Sequence, residues 1–423
     1  MAETTRDAPS PNAGGEGVTD PAARQAPRPW AADETPPSAR LVLADGTVFE
    51  GHGVGATGVA VGEVCFNTAM TGYQEVLTDP SYAGQIVTFT FPHIGIVGTN
   101  DEDTETSNTA AGAAIGCVLK APITEPANYR ARQHLNKWLA QRGLIGISGV
   151  DTRALTNLIR DKGMPNAVIA HAPGGRFDAG DFDIAALTAQ AQAFPGLKGM
   201  ELAATVSTAA PYTWDETCWR QTTGYGRQTQ PAYHVVALDF GVKRTILRLL
   251  AEHGCAVTVV PATSSADDVL AHNPDGIFLA NGPGDPAATG SYAVAEIEKL
   301  IASGKPIFGI CLGHQLLARA LGGTTKKMHQ GHHGANHPVK DFTTHKVEIT
   351  SMNHGFAVDA ASLPAGVTET HRSLFDGSNA GLEADGGRIF SVQHHPEASP
   401  GPQDSHYLFE RFVARMAEAK ACA

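Results

Sequence analysis

The sequence predicts an α/β protein: a C-terminal doubly wound, mainly parallel sheet preceded by an α+β N-terminal domain and a disordered tail. Three observations carry this. From Tyr233 onward, nearly continuous apolar runs (HVVALDF, AVTVVPA, GIFLA, PIFGI) alternate with helical stretches such as KRTILRLLAEHG and AVAEIEKLIASG. Strands buried on both faces and joined by right-handed crossover helices read this way. Residues 40 to about 200 show shorter, β-branched alternating runs mixed with two or three helices. Residues 1–38 are Ala-, Pro-, Gly- and acid-rich with almost nothing apolar to bury, so ordering them would cost more entropy than burial returns.

Taken in order, LVLADGTVFEGHGVG predicts two strands joined at Asp45-Gly46, a dipeptide suited to a hairpin turn. VAVGEVCFNT and QIVTFTFP continue as strands, while ARQHLNKWLAQRG and TRALTNLIRDKG predict helices. Residues 208–232 are polar and rich in breakers, including Pro211 and Gly224, and read as a linker. The expected organisation is therefore a tail over 1–38, a first domain over 39–207, a linker over 208–232 and a second domain over 233–423.

Composition narrows the function. The chain has 423 residues, 42% hydrophobic and 17% charged, with a net charge of -12. That balance argues against a broad nucleic-acid footprint, which needs clustered cations. No apolar run approaches the roughly 18–20 residues of a membrane span. The tail has neither an apolar signal core nor the acid-poor character of a transit peptide, so a cytoplasmic location is expected. Six cysteines without a CxxC pair are too sparse for a disulfide scaffold and read as reduced thiols.

Some strings carry little. Gly53-x-Gly55-x-x-Gly58 matches a dinucleotide fingerprint, but the following VAVGEV alternates like a strand instead of opening a helix. His332, His333 and His337 cluster in GHHGANHP without a Cys or carboxylate at ligand spacing, so no metal is expected there. A P-loop is absent from the sequence, so no nucleotide cofactor is expected on this chain.

KPIFGICLGHQLLARALGG differs in kind. A buried strand runs into Gly309-Ile310-Cys311-Leu312-Gly313 and then a helix. This is the sulfur form of a nucleophile elbow, whose tight strand–turn–helix lifts the reactive atom above the sheet edge. A thiol at a helix N-terminus ionises more readily because it meets the positive end of the dipole. Nucleophilic catalysis also needs a base and a group to orient it. RIFSVQHHPEAS supplies His395 and Glu397, two apart in an extended stretch and so on one side of it, with His394 pointing away. The Leu312 amide, directly after the nucleophile, is a natural oxyanion donor, and Asn281-Gly282-Pro283-Gly284-Asp285 closes the preceding strand near the same edge.

NGPGDP, GICLGHQ and QHHPE, in this order, resemble the class I (triad) glutamine amidotransferases over residues 233 to about 418. With FNTAMTGYQEVLTDPSYAGQIVTFTFPHIGIVGTN (66–100), GISGVDTRALTNLIRDKG (146–163) and GHHGANHPVKD, nearly the whole chain after residue 39 resembles the carbamoyl-phosphate synthase small subunits. The resemblance implies that Cys311 attacks the glutamine side-chain amide, His395 moves the proton and Glu397 supports the imidazole. It further implies oxyanion donors at Gly282 and Leu312. Glutamine contacts would come from Ser81, Gly284, Gln315, Asn353, Gly355 and Phe356, with His354 as a site neighbour. The implied partner is a large subunit that binds ATP and Mg²⁺, receives ammonia through a tunnel and makes carbamoyl phosphate from bicarbonate; the first domain would be mainly its docking surface. Assembly of such heterodimers into larger complexes stays open. So do three other readings at this stage: a glutaminase subunit of another synthetase, against which 66–100 argues, a hydrolase of γ-glutamyl peptides, which would share the elbow but act alone, and a non-catalytic partner-binding subunit, against which the intact triad argues.

Overall fold

A computed structural model describes residues 37–106, 112–172 and 182–422. The tail reading falls almost wholly on residues 1–36, outside the described residues. The first domain closes on itself. Its strands are β1 (Ala39–Leu43), β2 (Val48–Gly55), β3 (Gly58–Asn67), β4 (Gln85–Phe89), β5 (Gly116–Val118), β6 (Ile145–Ser148) and β7 (Asn166–His171), and they form a closed barrel in the order β1-β2-β6-β5-β4-β3-β7. The β1–β2 hairpin turns at Asp45-Gly46, where Gly46 has φ +87° and Asp45 Oδ1 accepts the Thr47 N–H at 3.0 Å. Gly53 and Gly55 lie in β2 and Gly58 in β3, with no helix after them. Closure comes from β7, which pairs with both β1 and β3. Around the barrel lie α1 (Tyr73–Thr78), α2 (Leu135–Gln141), α3 (Thr152–Lys162) and α4 (Ile184–Ala193), while Ala203 of the short α5 (Ala203–Val206) packs in the core of the second domain.

The segment expected to be a linker is built into the fold. It holds β8 (Tyr212–Trp214), which pairs antiparallel with an edge of the second sheet, and a ribbon of β9 (Glu216–Arg220) and β10 (Gly224–Arg227). Its polar residues are those of an edge strand and an exposed hairpin, which alternate too briefly to register as strands.

The second domain is a ten-stranded sheet. Its central strands are β11 (Tyr233–Asp239), β12 (Cys255–Pro261), β13 (Gly276–Leu279) and β14 (Ile307–Ile310). Then come β15 (Thr325–Asp341), β16 (Val347–Val358), β17 (Val367–Ser373), β18 (Asn379–Ala384) and β19 (Ile389–Val392). Strands β12-β11-β13-β14-β19 are parallel, whereas β18, β17, β15 and β16 extend the sheet antiparallel. The expectation of a mainly parallel sheet left out this extension, because half-buried antiparallel strands rich in His, Thr and Gly lack the apolar runs that mark central strands.

Alternate residues of the parallel strands face opposite layers. Val236, Leu238, Ile277, Leu279 and Ile307 pack with α7 (Ala266–Ala271), α8 (Pro286–Ala302) and α9 (Leu312–Ala320). Val235, Ala237, Phe278, Phe308 and Phe390 pack with α6 (Arg244–Glu252) and α10 (Tyr407–Ala421). Phe308 is fully buried, with ring centroids of Phe390, Phe278, Phe412 and Phe409 at 4.5, 5.4, 5.7 and 5.8 Å. Among the described residues, no helix is long and apolar enough to cross a membrane.

Two predictions follow from the packing. Phe308→Ala removes the ring at the centre of four others and should cost about 3–5 kcal/mol in urea unfolding; a loss under about 1 kcal/mol would mean the cluster repacks. The second concerns buried imidazoles. Burial pushes His314 and His337 down to about 3 and His333 and His371 down to about 4, and lowers His354 and His394 as well. The unfolded chain takes up these protons near pH 6.5 and the fold does not, so their stability contribution is full above pH 6.5 and is lost as pH falls toward about 4. The urea midpoint should drop between pH 7 and pH 5; a flat profile would contradict the assignment.

Candidate active site

Cys311 sits where β14 meets α9, at φ +54° and ψ -104°. A non-glycine residue in this region costs on the order of 1–3 kcal/mol and persists only where its surroundings enforce it. Here they do: a Cβ at Gly313 would stand 2.1 Å from the Leu279 carbonyl oxygen, and one at Gly309 2.9 Å from the Gly313 backbone. The glycines on either side of the cysteine let helix and strand approach closely enough to lift it.

His395 follows β19 and is held by an antiparallel bridge to Ser351, its N–H bonding the Ser351 carbonyl at 2.8 Å. Its Nδ1 lies 2.7 Å from Glu397 Oε1. A carboxylate only accepts, so Nδ1 carries the proton, and among the described residues the buried Nε2 is left to the Cys311 side chain alone. Burial alone would depress this imidazole, but the charges of Glu397 and Cys311 outweigh it and raise its pKa to about 10. Glu397 is held below the usual carboxylate range despite burial, by Lys243 first and His395 second. His394 instead places its ring 5.5 Å from that of His371.

Lys243 escaped the sequence reading. It precedes α6, its side chain is 3% exposed, and Nζ donates to Glu397 Oε1 at 2.8 Å and to the Ser399 carbonyl at 2.7 Å. Burial opposes an ammonium there, yet Glu397, Glu105 and Asp79 together raise its pKa above that of a free lysine. Only its place after an apolar strand hinted at this, and Lys at a strand end is common on surfaces.

A narrow pocket opens beside Cys311. Of the positions singled out in the sequence, Ser81, Gly282, Gly284, Gln315, Asn353, His354, Gly355 and Phe356 line it, joined by Gln85, Leu197, Pro283 and His333. Leu312 is not among the lining residues; its buried side chain packs in the core while it opens α9 directly after Cys311. A Cβ on Gly282 would stand 2.0 Å from the Phe240 carbonyl oxygen, so this turn has no room for a side chain. Asp285 secures the turn, accepting the Ala287 N–H at 2.8 Å as the cap of α8 and the Gly199 N–H at 2.8 Å.

The side-chain commitments refine the expected contacts. Gln315 Nε2 donates to the Phe356 carbonyl (2.8 Å) and Gln393 (3.0 Å), so its amide nitrogen frames the pocket. Asn353 is tied at both ends, Nδ2 to Asp79 (2.9 Å) and Oδ1 to His333 Nδ1 (2.9 Å), while its carbonyl lies 3.5 Å from Cys311 Sγ. Asn281 Nδ2 donates to Ser81 Oγ at 2.9 Å. Ser81 and Asp79 belong to the barrel domain, so that domain supplies a wall of the pocket and is more than a docking surface. His332 and His337 stand behind this wall, His332 paired with Asp376 at 3.0 Å.

Lys243→Met should leave the Glu397 carboxylate buried without its cation. Breaking such a pair costs about 3–5 kcal/mol, so the variant should unfold at markedly lower urea. Unchanged stability would mean that Glu397 takes up a proton instead.

Comparison with known proteins extends over nearly the whole chain. Residues 236–415 match the family model for glutamine amidotransferase class-I, and residues 41–169 match that for the carbamoyl-phosphate synthase small chain, CPSase domain. The carbamoyl phosphate synthase small chain of Bradyrhizobium diazoefficiens is 65% identical over 386 residues, covering 91% of this chain and 96% of that one. The small chain of Rhizobium meliloti is 65% identical over 387 residues, covering 91% and 95%. With 65% identity over nearly the full length of such relatives, and with the elbow and the histidine–glutamate pair inside 236–415 and most of the barrel inside 41–169, the chain belongs to the carbamoyl-phosphate synthase small chain family.

Proposed function

We propose that this chain is the glutamine-hydrolysing subunit of a carbamoyl-phosphate synthase. The observation that carries the reading is the array at one sheet edge: Cys311 on a strained elbow, His395 with Nε2 left to the Cys311 side chain, and Glu397 on its Nδ1. In this reading the Cys311 sulfur attacks the γ-amide carbon of L-glutamine. The imidazolium at His395, held charged by Glu397, gives its proton to the departing nitrogen, so ammonia leaves and a γ-glutamyl thioester remains. His395 then accepts a proton from water as the water attacks the thioester, releasing glutamate and restoring the thiolate–imidazolium pair. The Leu312 and Gly282 amides serve the developing oxyanion; one such donor is worth about 100–1000-fold in rate. Ser81, Gly284, Gln315, Asn353, Gly355 and Phe356 hold the amino acid, with His354 beside them.

A second, small cavity, with room for about one water-sized molecule (about 20 Å³) and lined by His395, Lys243, Asn67, Met352 and Pro400 among others, adjoins the triad and reaches the barrel. It supports passage of ammonia towards a large subunit, where ATP and Mg²⁺ would be bound and where the ammonia would be joined to bicarbonate, with phosphoryl groups from ATP, to give carbamoyl phosphate.

The test is ammonia release from glutamine by the wild type and Cys311→Ser, with and without the large subunit. Wild-type turnover that rises with the partner, is abolished by Cys311→Ser and couples to ATP and bicarbonate is the expected result. Equal inactivity of both proteins with the partner present would end the triad assignment.

A further inference from the structure

Glu105 belongs to none of the motifs above. It lies on the barrel side of the chain, in the stretch after β4, yet it is 1% exposed and every polar group it has reaches another segment. Its N–H donates to Thr78 Oγ1 at the end of α1 (3.0 Å), and its carbonyl accepts the Arg244 N–H (3.0 Å). Oε2 accepts the Thr245 N–H at 3.0 Å, and Oε1 accepts the Thr245 hydroxyl at 2.7 Å and the Ser399 hydroxyl at 2.5 Å.

These contacts fall at the start of α6. Lys243 occupies the N-cap there, and its side chain makes no cap hydrogen bond. The first amides of a helix need acceptors, and a carboxylate beside them is favoured by the helix dipole. Glu105 supplies both from the other domain. The Lys243 ammonium, which has no acceptor to offer these amides, extends instead to the Ser399 carbonyl and Glu397. Glu105 also holds Ser399 by its hydroxyl, so it fixes the two segments that present Lys243 to Glu397 and adds to the negative field that keeps Lys243 charged. The connected path runs from Glu105 through Ser399 and Lys243 to Glu397 and His395.

We infer that Glu105 is a positioning residue for the triad, a cap lent by the barrel domain that sets the Lys243–Glu397 pair and through it the orientation of His395. The inference rests on the glutaminase reading. A loosened Glu397 would hold the imidazolium less well opposite Cys311, so turnover should fall more than substrate affinity.

The test uses the complex with its large subunit and compares Glu105→Gln, which keeps shape and removes charge, with Ser399→Ala. The expected result for Glu105→Gln is a roughly tenfold lower kcat for L-glutamine hydrolysis with KM within about twofold. Alkylation of Cys311 by iodoacetamide should slow in step, while ammonia-dependent synthesis matches wild type. Ser399→Ala should shift kcat in the same direction, and the double variant should be no worse than the more severe single. Wild-type kcat and alkylation in both variants, with only a lower melting temperature, would overturn the proposal and leave Glu105 as a domain tie. Absence of Cys311-dependent hydrolysis in the wild-type complex would overturn the functional reading itself, and this proposal with it.

Discussion

The Lys243–Glu397 contact is the constraint on which the rest of the site depends. Two opposite charges, at 3% and 0% side-chain exposure, meet at 2.8 Å inside the protein. Such a pair survives only with near-ideal geometry and further hydrogen bonds around it. Lys243 obtains these from the Ser399 carbonyl, and Glu397 from His395 Nδ1 on the same oxygen. The consequence for chemistry is electrostatic. A carboxylate kept ionised by a lysine can hold an imidazolium in a dry site, and the imidazolium in turn faces the sulfur. The strain at Cys311 and the charge chain below it are two halves of one preorganised device.

This device also explains why the molecule needs both domains. The sheet edge supplies Cys311, His395 and Glu397, but the barrel supplies Ser81 to the pocket, Asp79 to Asn353 and Glu105 to the helix that carries Lys243. Further ties, such as Lys327 to Glu63 at 2.9 Å and the Thr68 N–H to the His333 carbonyl at 3.2 Å, keep the two in register. A barrel present only to dock a partner would have no reason to send buried polar side chains to the pocket beside Cys311, where each unmatched group carries a desolvation cost.

Much of the site was legible in the chain before any fold was known. Gly309 and Gly313 around Cys311 announce a backbone too crowded for side chains, and His395-Pro396-Glu397 announces two polar groups on one side of an extended stretch. The buried strands β11 to β14 were legible for a similar reason, since a strand covered on both faces has to be apolar throughout. The antiparallel extension from β15 to β18 and the edge strand β8 were not, because their alternation is short and diluted by His, Thr and Gly. Lys243, Glu105 and Asp79 were invisible on different grounds: a charged residue reads as solvated until something shows that it is enclosed.

The sequence by itself thus determined the local arrangement: a cysteine on a turn crowded by glycines, a histidine and a glutamate on one side of an extended stretch, and where the backbone turns. These depend on residues within a few positions of one another, joined by covalent geometry and short-range sterics. Tertiary structure alone decided the closure of the barrel, the committed hydrogen bonds of Gln315 and Asn353, and the joining of residues 105, 243 and 397 into one charge chain. Those outcomes arise from desolvation and long-range pairing, which exist only once distant segments have excluded water from between them.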